Sequence, residues 1–80
     1  MNLKPITTEK AVMMIEKENV LTFEAPIKAT KNEIRKEVEE LFEVKVAKIR
    51  TLIRNNRTYS YVKLKKEFPA IDLATKLGMM

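Results

Sequence analysis

The sequence lacks cysteine and histidine, and it contains a single glycine, Gly78. Without cysteine, no disulfide supports the fold, and a reducing cytosol is the expected compartment. Without histidine, the commonest general base and a usual zinc ligand are missing. A single glycine cannot form a glycine-rich phosphate loop. These absences argue against catalysis, and we expect no enzyme activity, no cofactor and no metal ion.

Long apolar runs are also missing. No stretch approaches the roughly 18 consecutive apolar residues that cross a bilayer, and the chain opens with polar Asn2 and Lys4 instead of a signal-peptide apolar region. With 45% hydrophobic and 34% charged residues, the 80 residues are typical of one soluble globular domain over 1–80. We expect neither membrane insertion nor a small-molecule substrate.

Positive charge is concentrated in one segment. The chain carries 16 basic and 11 acidic residues, a formal net charge of +5. Residues 50–66, RTLIRNNRTYSYVKLKK, contain six of the basic residues and no acidic one. The rest of the chain is therefore close to neutral. A local basic patch predicts a negatively charged partner.

Two amphipathic helices are predicted in the first half of the chain. Thr7 or Thr8 can cap a helix over 8–19, where an apolar stripe recurs at helical spacing. Residues 20–25, VLTFEA, alternate as in a strand. Thr30 and Glu33 form a capping box that begins the second helix. The apolar stripes predicted to be buried are Ala11, Val12 and Ile15, and Ile34, Val38, Leu41 and Phe42.

The second half predicts a β-hairpin and a closing helix. Residues 44–54 alternate, with a phase slip between Val46 and Ile49 that indicates a bulge. Asn55-Asn56 is a plausible two-residue turn, because asparagine tolerates positive φ. Residues 57–66 form the return strand, and 70–78 form a short helix. With a short edge strand ending at Pro5, the order is (β)αβαββα. This predicts an α+β fold of the ferredoxin-like α/β plait type, with helices on one face of a small, mainly antiparallel sheet.

The two-residue turn fixes which side chains share a face of the hairpin. It places Arg54 opposite Arg57, Leu52 opposite Tyr59 and Arg50 opposite Tyr61. The helix-covered face would carry Ile49, Thr51, Ile53, Ser60, Val62 and Leu64. The open face would carry Lys48, Arg50, Leu52, Arg54, Arg57, Tyr59, Tyr61 and Lys63.

The predicted open face favours RNA as the partner. Like charges directly opposite each other, as at the Arg54–Arg57 tip, destabilise a sheet, and no nearby carboxylate in the sequence relieves them. Phosphates accept guanidinium groups well, and tyrosine rings stack on unpaired bases. Alternatives are a solvated face that discourages aggregation, an acidic protein partner or an anionic membrane surface.

Several motifs resemble a known family. They are PITTEKA (5–11), Asn19 before the strand, and ATKNEIRKEVEELFEVKV (29–46), with weaker matches at Thr51, YVKL (61–64) and AIDLATKLG (70–78). The chain is similar to the universal large-subunit ribosomal protein number twenty-three family, in its short archaeal form. The resemblance implies an α+β protein that binds large-subunit rRNA beside the polypeptide exit tunnel, next to another ribosomal protein at the tunnel rim. It also implies a docking point for the signal recognition particle or a ribosome-bound chaperone.

The resemblance also assigns roles to individual residues. Lys10 and Lys31 would approach RNA, and Glu9 would contact docking factors, although by itself Glu9 is a carboxylate favoured at a helix start. Arg50 stands before Thr51 where the family usually has asparagine, and the family's glycine-containing hairpin tip and the long bacterial extension are absent. The full set expected to contact RNA is Lys10, Lys31, Arg50, Thr51, Arg54, Asn55, Asn56, Arg57, Tyr59, Tyr61 and Lys63.

Three other functions stay open on the sequence. A free-standing RNA- or DNA-binding regulator would present the same patch. A protein-interaction module could use the hairpin edge for β-augmentation. An acyl-phosphate-type hydrolase on a similar sandwich has little support, because no anion-binding loop precedes the first helix.

Overall fold

Three helices and four strands follow one another in the computed structural model, which describes residues 3–78. The elements are β1 (Lys4–Pro5), α1 (Glu9–Glu18), β2 (Val20–Ala25), α2 (Lys31–Phe42), β3 (Val46–Arg54), β4 (Arg57–Leu64) and α3 (Ala70–Lys76). The strands form one antiparallel sheet in the order β1-β2-β4-β3. The predicted α+β class and element order are confirmed. Asn2, used in the sequence argument, lies outside the described residues.

Local hydrogen bonds set the starts of the two longer helices. The N–H of Ala11 donates to Thr8 Oγ1 at 3.2 Å, which caps α1. At α2, the N–H of Glu33 donates to Thr30 Oγ1 at 3.2 Å, and the N–H of Thr30 donates back to Glu33 Oε1 at 3.3 Å. This reciprocal pair is the predicted capping box.

The core lies between one sheet face and the helices α2 and α3, and Ile15 of α1 also belongs to it. Phe23 is fully buried there, and its ring stacks on Phe42 with centroids 6.1 Å apart. Two predicted core positions are wrong, because Leu41 is 58% exposed and Ile53 is 64% exposed. Helix α2 buries the i, i+4, i+8 row that ends at Phe42, so Leu41 turns outward. Ile53 pairs with Thr58, one pair before the turn, and its high exposure shows that the helices do not cover this end of the sheet.

The hairpin has the predicted register. Arg54 lies opposite Arg57 and Arg50 opposite Tyr61, and a register shift separates Val46 from Lys48, as the phase slip indicated. The turn residues Asn55 and Asn56 have φ values of 52° and 61°. Two successive positive φ values are typical of the type I′ turn, whose twist matches that of the strands it joins.

Asn19 connects α1, the end of β4 and the start of α3. It ends α1 in the left-handed conformation, with φ 58°. Its Nδ2 donates to the carbonyl of Leu64 at 3.0 Å and lies 3.3 Å from the carbonyl oxygens of Lys65 and Phe68. Its Oδ1 accepts from the N–H of Ala70. Because the N-cap of α3 makes no side-chain hydrogen bond of its own, Asn19 caps that helix from a distance.

The helices within residues 3–78 are short. The longest, α2, has 12 residues, so none of them has the length and apolar character of a membrane-spanning helix. At the end of α3, Gly78 has φ 73° and follows the C-cap residue Leu77, at the C′ position where glycine is favoured.

Candidate nucleic-acid interface

The tyrosine-bearing face of the hairpin forms as predicted. Side chains alternate along a strand, and residues directly opposite each other share a face. Thr58, Ser60 and Val62 are buried on the core side, which leaves the intervening side chains on the other side. These are Lys48, Arg50, Leu52, Arg54, Arg57, Tyr59, Tyr61 and Lys63. The tyrosines are half-buried, whereas the basic residues are exposed.

Helix α1 lies along one edge of this face, which the sequence predicted to be free of helices. Val20 and Thr22 of β2 lie opposite Lys63 and Tyr61, and therefore on the tyrosine-bearing face, yet both are buried. Lys10 and Met14 of α1 line the same hollows as Tyr61. The short strand β1 pairs only with residues 23 and 24, and beyond the bond from Ile6 N–H to the carbonyl of Thr22 at 2.9 Å no strand pairs with this outer edge of β2. The face is therefore open over β3 and β4 and closed by α1 over β2.

The result is a groove between α1 and the hairpin, made of two adjoining hollows of about 180 and 470 Å³. Lys10, Met14, Leu52 and Tyr61 line both. The smaller hollow continues to Ile6, Thr8, Ala11, Thr22, Arg54 and Tyr59. The larger continues to Glu18, Val20, Lys48, Arg50, Thr51 and Lys63. We call the whole the α1–hairpin groove.

The α1–hairpin groove is strongly basic. Its five cationic side chains are Lys10, Lys48, Arg50, Arg54 and Lys63. Glu18 is the only carboxylate among the residues that line it. Within residues 3–78, none of the five forms a salt bridge. Lys48 lies directly opposite Lys63, and Arg54 lies opposite Arg57. Like charges directly opposite each other favour an added polyanion wherever no carboxylate already pairs with them.

Arg57 differs from its basic neighbours because it forms a salt bridge. The expectation that both tip arginines lack a compensating carboxylate is therefore wrong for Arg57. Its Nη1 lies 3.2 Å from Glu24 Oε1. Glu24 reaches the tip because β2 pairs with β4 and places Glu24 opposite Tyr59. A carboxylate distant in sequence therefore relieves one of the two tip arginines. Of the two tip arginines, Arg54 is the one that forms no salt bridge within the described residues.

The other predicted site residues are divided between several places. Asn55 and Asn56 form the hairpin tip. Thr51 lies opposite Ser60, so its side chain points to the core face, away from the tyrosines. Lys31, the first residue of α2, borders a separate shallow hollow beside β3. Glu9 lies exposed in the first turn of α1, next to Lys10. The structure therefore does not bring Lys31 into the α1–hairpin groove, and Thr51 borders the larger hollow although its side chain lies on the core face.

Sequence reasoning left out of its site nine residues that line the groove: Ile6, Thr8, Ala11, Met14, Glu18, Val20, Thr22, Lys48 and Leu52. Lys48 and Leu52 follow from the same strand alternation that identified their neighbours. Met14 and Thr22 could not be found in this way, because they enter the site only where α1 packs along β2.

A hydrogen bond and a salt bridge of Glu39, on the opposite side of the sheet, stabilise the start of β3. Glu39 Oε2 accepts from the N–H of Val46 at 2.9 Å and lies 3.7 Å from Arg35 Nε. The hydrogen bond from Val46, helped by the charges of Arg35 and Lys45, holds the pKa of Glu39 below its usual value. This contact belongs to the scaffold, since no residue of it lines the groove.

Comparison with known proteins assigns the chain to a family. Residues 1–71 match the family model described as "Ribosomal protein L23". "Large ribosomal subunit protein uL23" of Saccharomyces cerevisiae is 43% identical over 76 residues, covering 94% of this chain and 54% of the yeast protein. The protein of the same name from Kluyveromyces lactis gives the same identity and coverage. The chain thus spans about half the length of the curated relatives it matches. Both comparisons agree with the resemblance seen in the motifs, and the chain belongs to the ribosomal protein L23 family.

Proposed function

We propose that this protein is a non-catalytic, structural component of the large ribosomal subunit that binds large-subunit rRNA through the α1–hairpin groove. The observation that carries the proposal is the groove itself, where five unpaired cations surround two half-buried tyrosines. The names of its relatives, which are large-subunit proteins, support the same assignment. By the family resemblance, the bound RNA lies beside the polypeptide exit tunnel of the cytoplasmic ribosome.

Phosphate contacts supply most of the affinity in this proposal. Each neutralised phosphate releases condensed counterions, so affinity falls as salt rises. Five contacts predict a slope of log affinity against log salt of roughly −3.5 for single-stranded and −4.5 for double-stranded RNA. Specificity comes from the folded shape of the RNA, because the deep groove of an A-form helix is closed to side chains.

A filter-binding titration against large-subunit rRNA over a range of salt concentrations tests the mechanism. We expect the slope above for the wild type and a slope smaller by about 0.7 to 0.9 for Arg54→Gln, which removes one contact. A slope near zero for the wild type would reject electrostatic binding. If the Arg54→Glu variant binds rRNA as tightly as the wild type, the result would favour β-augmentation along β3, which is an edge strand of the sheet.

Sedimentation of a cell lysate separates a ribosomal component from a free-standing regulator. The ribosomal component follows the large subunit at high salt, whereas a regulator stays in the light fractions. Hydroxyl-radical cleavage of the bound rRNA then identifies the RNA segment that the protein protects.

We also propose that Glu9 belongs to a separate docking surface for factors that meet the nascent chain, such as the signal recognition particle or a chaperone. Glu9 is exposed, does not line the groove, and lies next to Lys10, which does. Glu9→Gln should therefore weaken capture of such a factor by purified ribosomes and leave rRNA binding unchanged. Equal capture by wild-type and Glu9→Gln ribosomes would remove Glu9 from this surface.

A further inference from the structure

The hydroxyl of Thr22 has no hydrogen-bond partner. Thr22 is 4% exposed, and its Oγ1 is the one buried side-chain polar atom within residues 3–78 that lacks a partner. Buried polar atoms are nearly always paired, because an unpaired one has lost its contacts with water and gained none in return. Thr22 borders the smaller hollow of the α1–hairpin groove. The unpaired hydroxyl therefore lies at a place where a bound molecule could pair with it.

The walls of this hollow suit a flat, mainly apolar ring. Ala11 and Met14 of α1 line one side, and Leu52, Tyr59 and Tyr61 of the hairpin line the other. The volume of 180 Å³ is about ten times the minimum of roughly 15 Å³ that holds one water molecule. Apolar walls with a few polar groups are the usual character of a small-molecule site.

Charge at the mouth of the hollow indicates what accompanies the ring. Lys10 and Arg54 line it from α1 and β3 respectively, and neither forms a salt bridge within the described part of the chain. A guanidinium and an ammonium group are well suited to hold phosphate oxygens. An aromatic ring linked to phosphates is a nucleotide.

We propose that the smaller hollow receives one unpaired nucleotide of the bound RNA, whose base edge forms a hydrogen bond with Thr22 Oγ1. The proposal rests on the RNA-binding function proposed above and names a subsite within it. The phosphates on either side of the base lie against Lys10 and Arg54. A base within a double helix cannot enter, so this part of the interface selects an unpaired position, where RNA is usually read.

Entry of the base requires a small movement of a side chain. Thr22 Oγ1 lies just beneath the wall of the hollow and has almost no contact with solvent. Met14 is half-buried at this wall, and methionine adapts easily because its side chain is unbranched and flexible. A threonine hydroxyl both donates and accepts, so it can pair with either kind of group on the base edge.

The substitution Thr22→Val tests the proposal, since valine has the same shape and lacks the hydroxyl. Because the hydroxyl is unpaired in the free protein, the urea midpoint should stay unchanged or rise. Affinity for large-subunit rRNA should fall about tenfold, as expected for the loss of one hydrogen bond in a buried site. The salt slope should stay the same, because a neutral group releases no counterions.

Thr58→Val is the matched control. Thr58 is 2% exposed on the opposite face of the sheet, and its hydroxyl donates to the carbonyl of Ile27 at 3.4 Å. This substitution should lower the urea midpoint and leave RNA affinity unchanged. If both variants lose affinity equally, or if Thr22→Val binds like the wild type, the subsite is wrong.

Chemical probing of the bound rRNA gives a second test. Dimethyl sulfate and carbodiimide modify the edges of unpaired bases. In the wild-type complex, one unpaired base should lose reactivity, and Thr22→Val should restore it while the hydroxyl-radical protection of the backbone remains. Backbone protection without any protected base would overturn the subsite and leave the proposed function standing. Absence of both would contradict the proposed function as well.

Discussion

Replacing Asn19 by glycine should destabilise the fold strongly, although the substitution introduces no backbone strain. Asn19 has φ 58°, a conformation that glycine adopts without strain. The substitution therefore removes only the side chain, which holds the end of β4 with Nδ2 and caps α3 with Oδ1. An alanine variant would add a backbone penalty and confuse the two effects.

The magnitude follows from the hydrogen bonds that are lost. The two Nδ2 hydrogens and the acceptor Oδ1 make two to three effective bonds at about 1 kcal/mol each. We expect the free energy of unfolding to fall by about 2 to 3 kcal/mol, out of the roughly 4 to 12 kcal/mol that is typical for 80 residues. With a urea dependence of about 1 kcal/mol/M, the midpoint should fall by roughly 2 M or more. Far-UV circular dichroism suits the measurement, because the chain has no tryptophan.

Asn56→Gly is the control for this experiment. Asn56 also has positive φ, 61°, but it lies exposed in the hairpin turn, and no side-chain hydrogen bond involves it within residues 3–78. The change creates Asn-Gly, the favoured sequence for this turn, so stability should stay or rise. If the two glycine variants unfold at the same urea concentration, Asn19 does not connect the three elements as described.

Three further predictions concern charge and packing. The pKa of Glu39 is lowered, chiefly by its hydrogen bond from the backbone at the start of β3. Its contribution to stability is therefore present above about pH 4.5 and is lost as the pH falls through the pKa of the folded state. Glu39→Gln should reduce the loss of stability on acidification, which urea titrations at neutral and acid pH would measure. Arg57→Gln should weaken rRNA binding less than Arg54→Gln in filter binding, because an intramolecular carboxylate already neutralises Arg57; an equal loss would show that this salt bridge opens in the complex. Ile34→Ala should cost about 2 to 5 kcal/mol in the core and Leu41→Ala less than about 0.5 kcal/mol on the surface of the same helix; thermal unfolding of the two variants checks the order.

The parts of the fold governed by neighbours in sequence could be predicted from the sequence. The capping box needs only Thr30 and Glu33, which lie within one turn of a helix. The register of the hairpin needs only Asn55-Asn56 and the alternation of the two strands that they join. Once the turn length is known, every cross-strand pair from the tip to Lys48–Lys63 follows from it, and only the bulge after Val46 changes the register.

The parts that depend on packing between distant segments could not be predicted. Glu24 neutralises Arg57 because β2 pairs with β4, and nothing in the sequence around Arg57 indicates it. Met14 and Thr22 belong to the groove because α1 packs beside β2, where β1 is too short to continue. Leu41 has the spacing of a core residue, and only the orientation of α2 on the sheet decides that it faces outward.

The two-residue turn at Asn55-Asn56 also sets a rule for how this arm can lengthen over evolution. Each residue added to both strands would carry the tip about 3.4 Å further from the body of the protein. Insertions matched on the two sides keep the existing pairs, so an arm could grow without altering the groove behind it. An insertion on one side alone would need a bulge to absorb it, or it would exchange the arginine- and tyrosine-bearing side of that strand for the buried one.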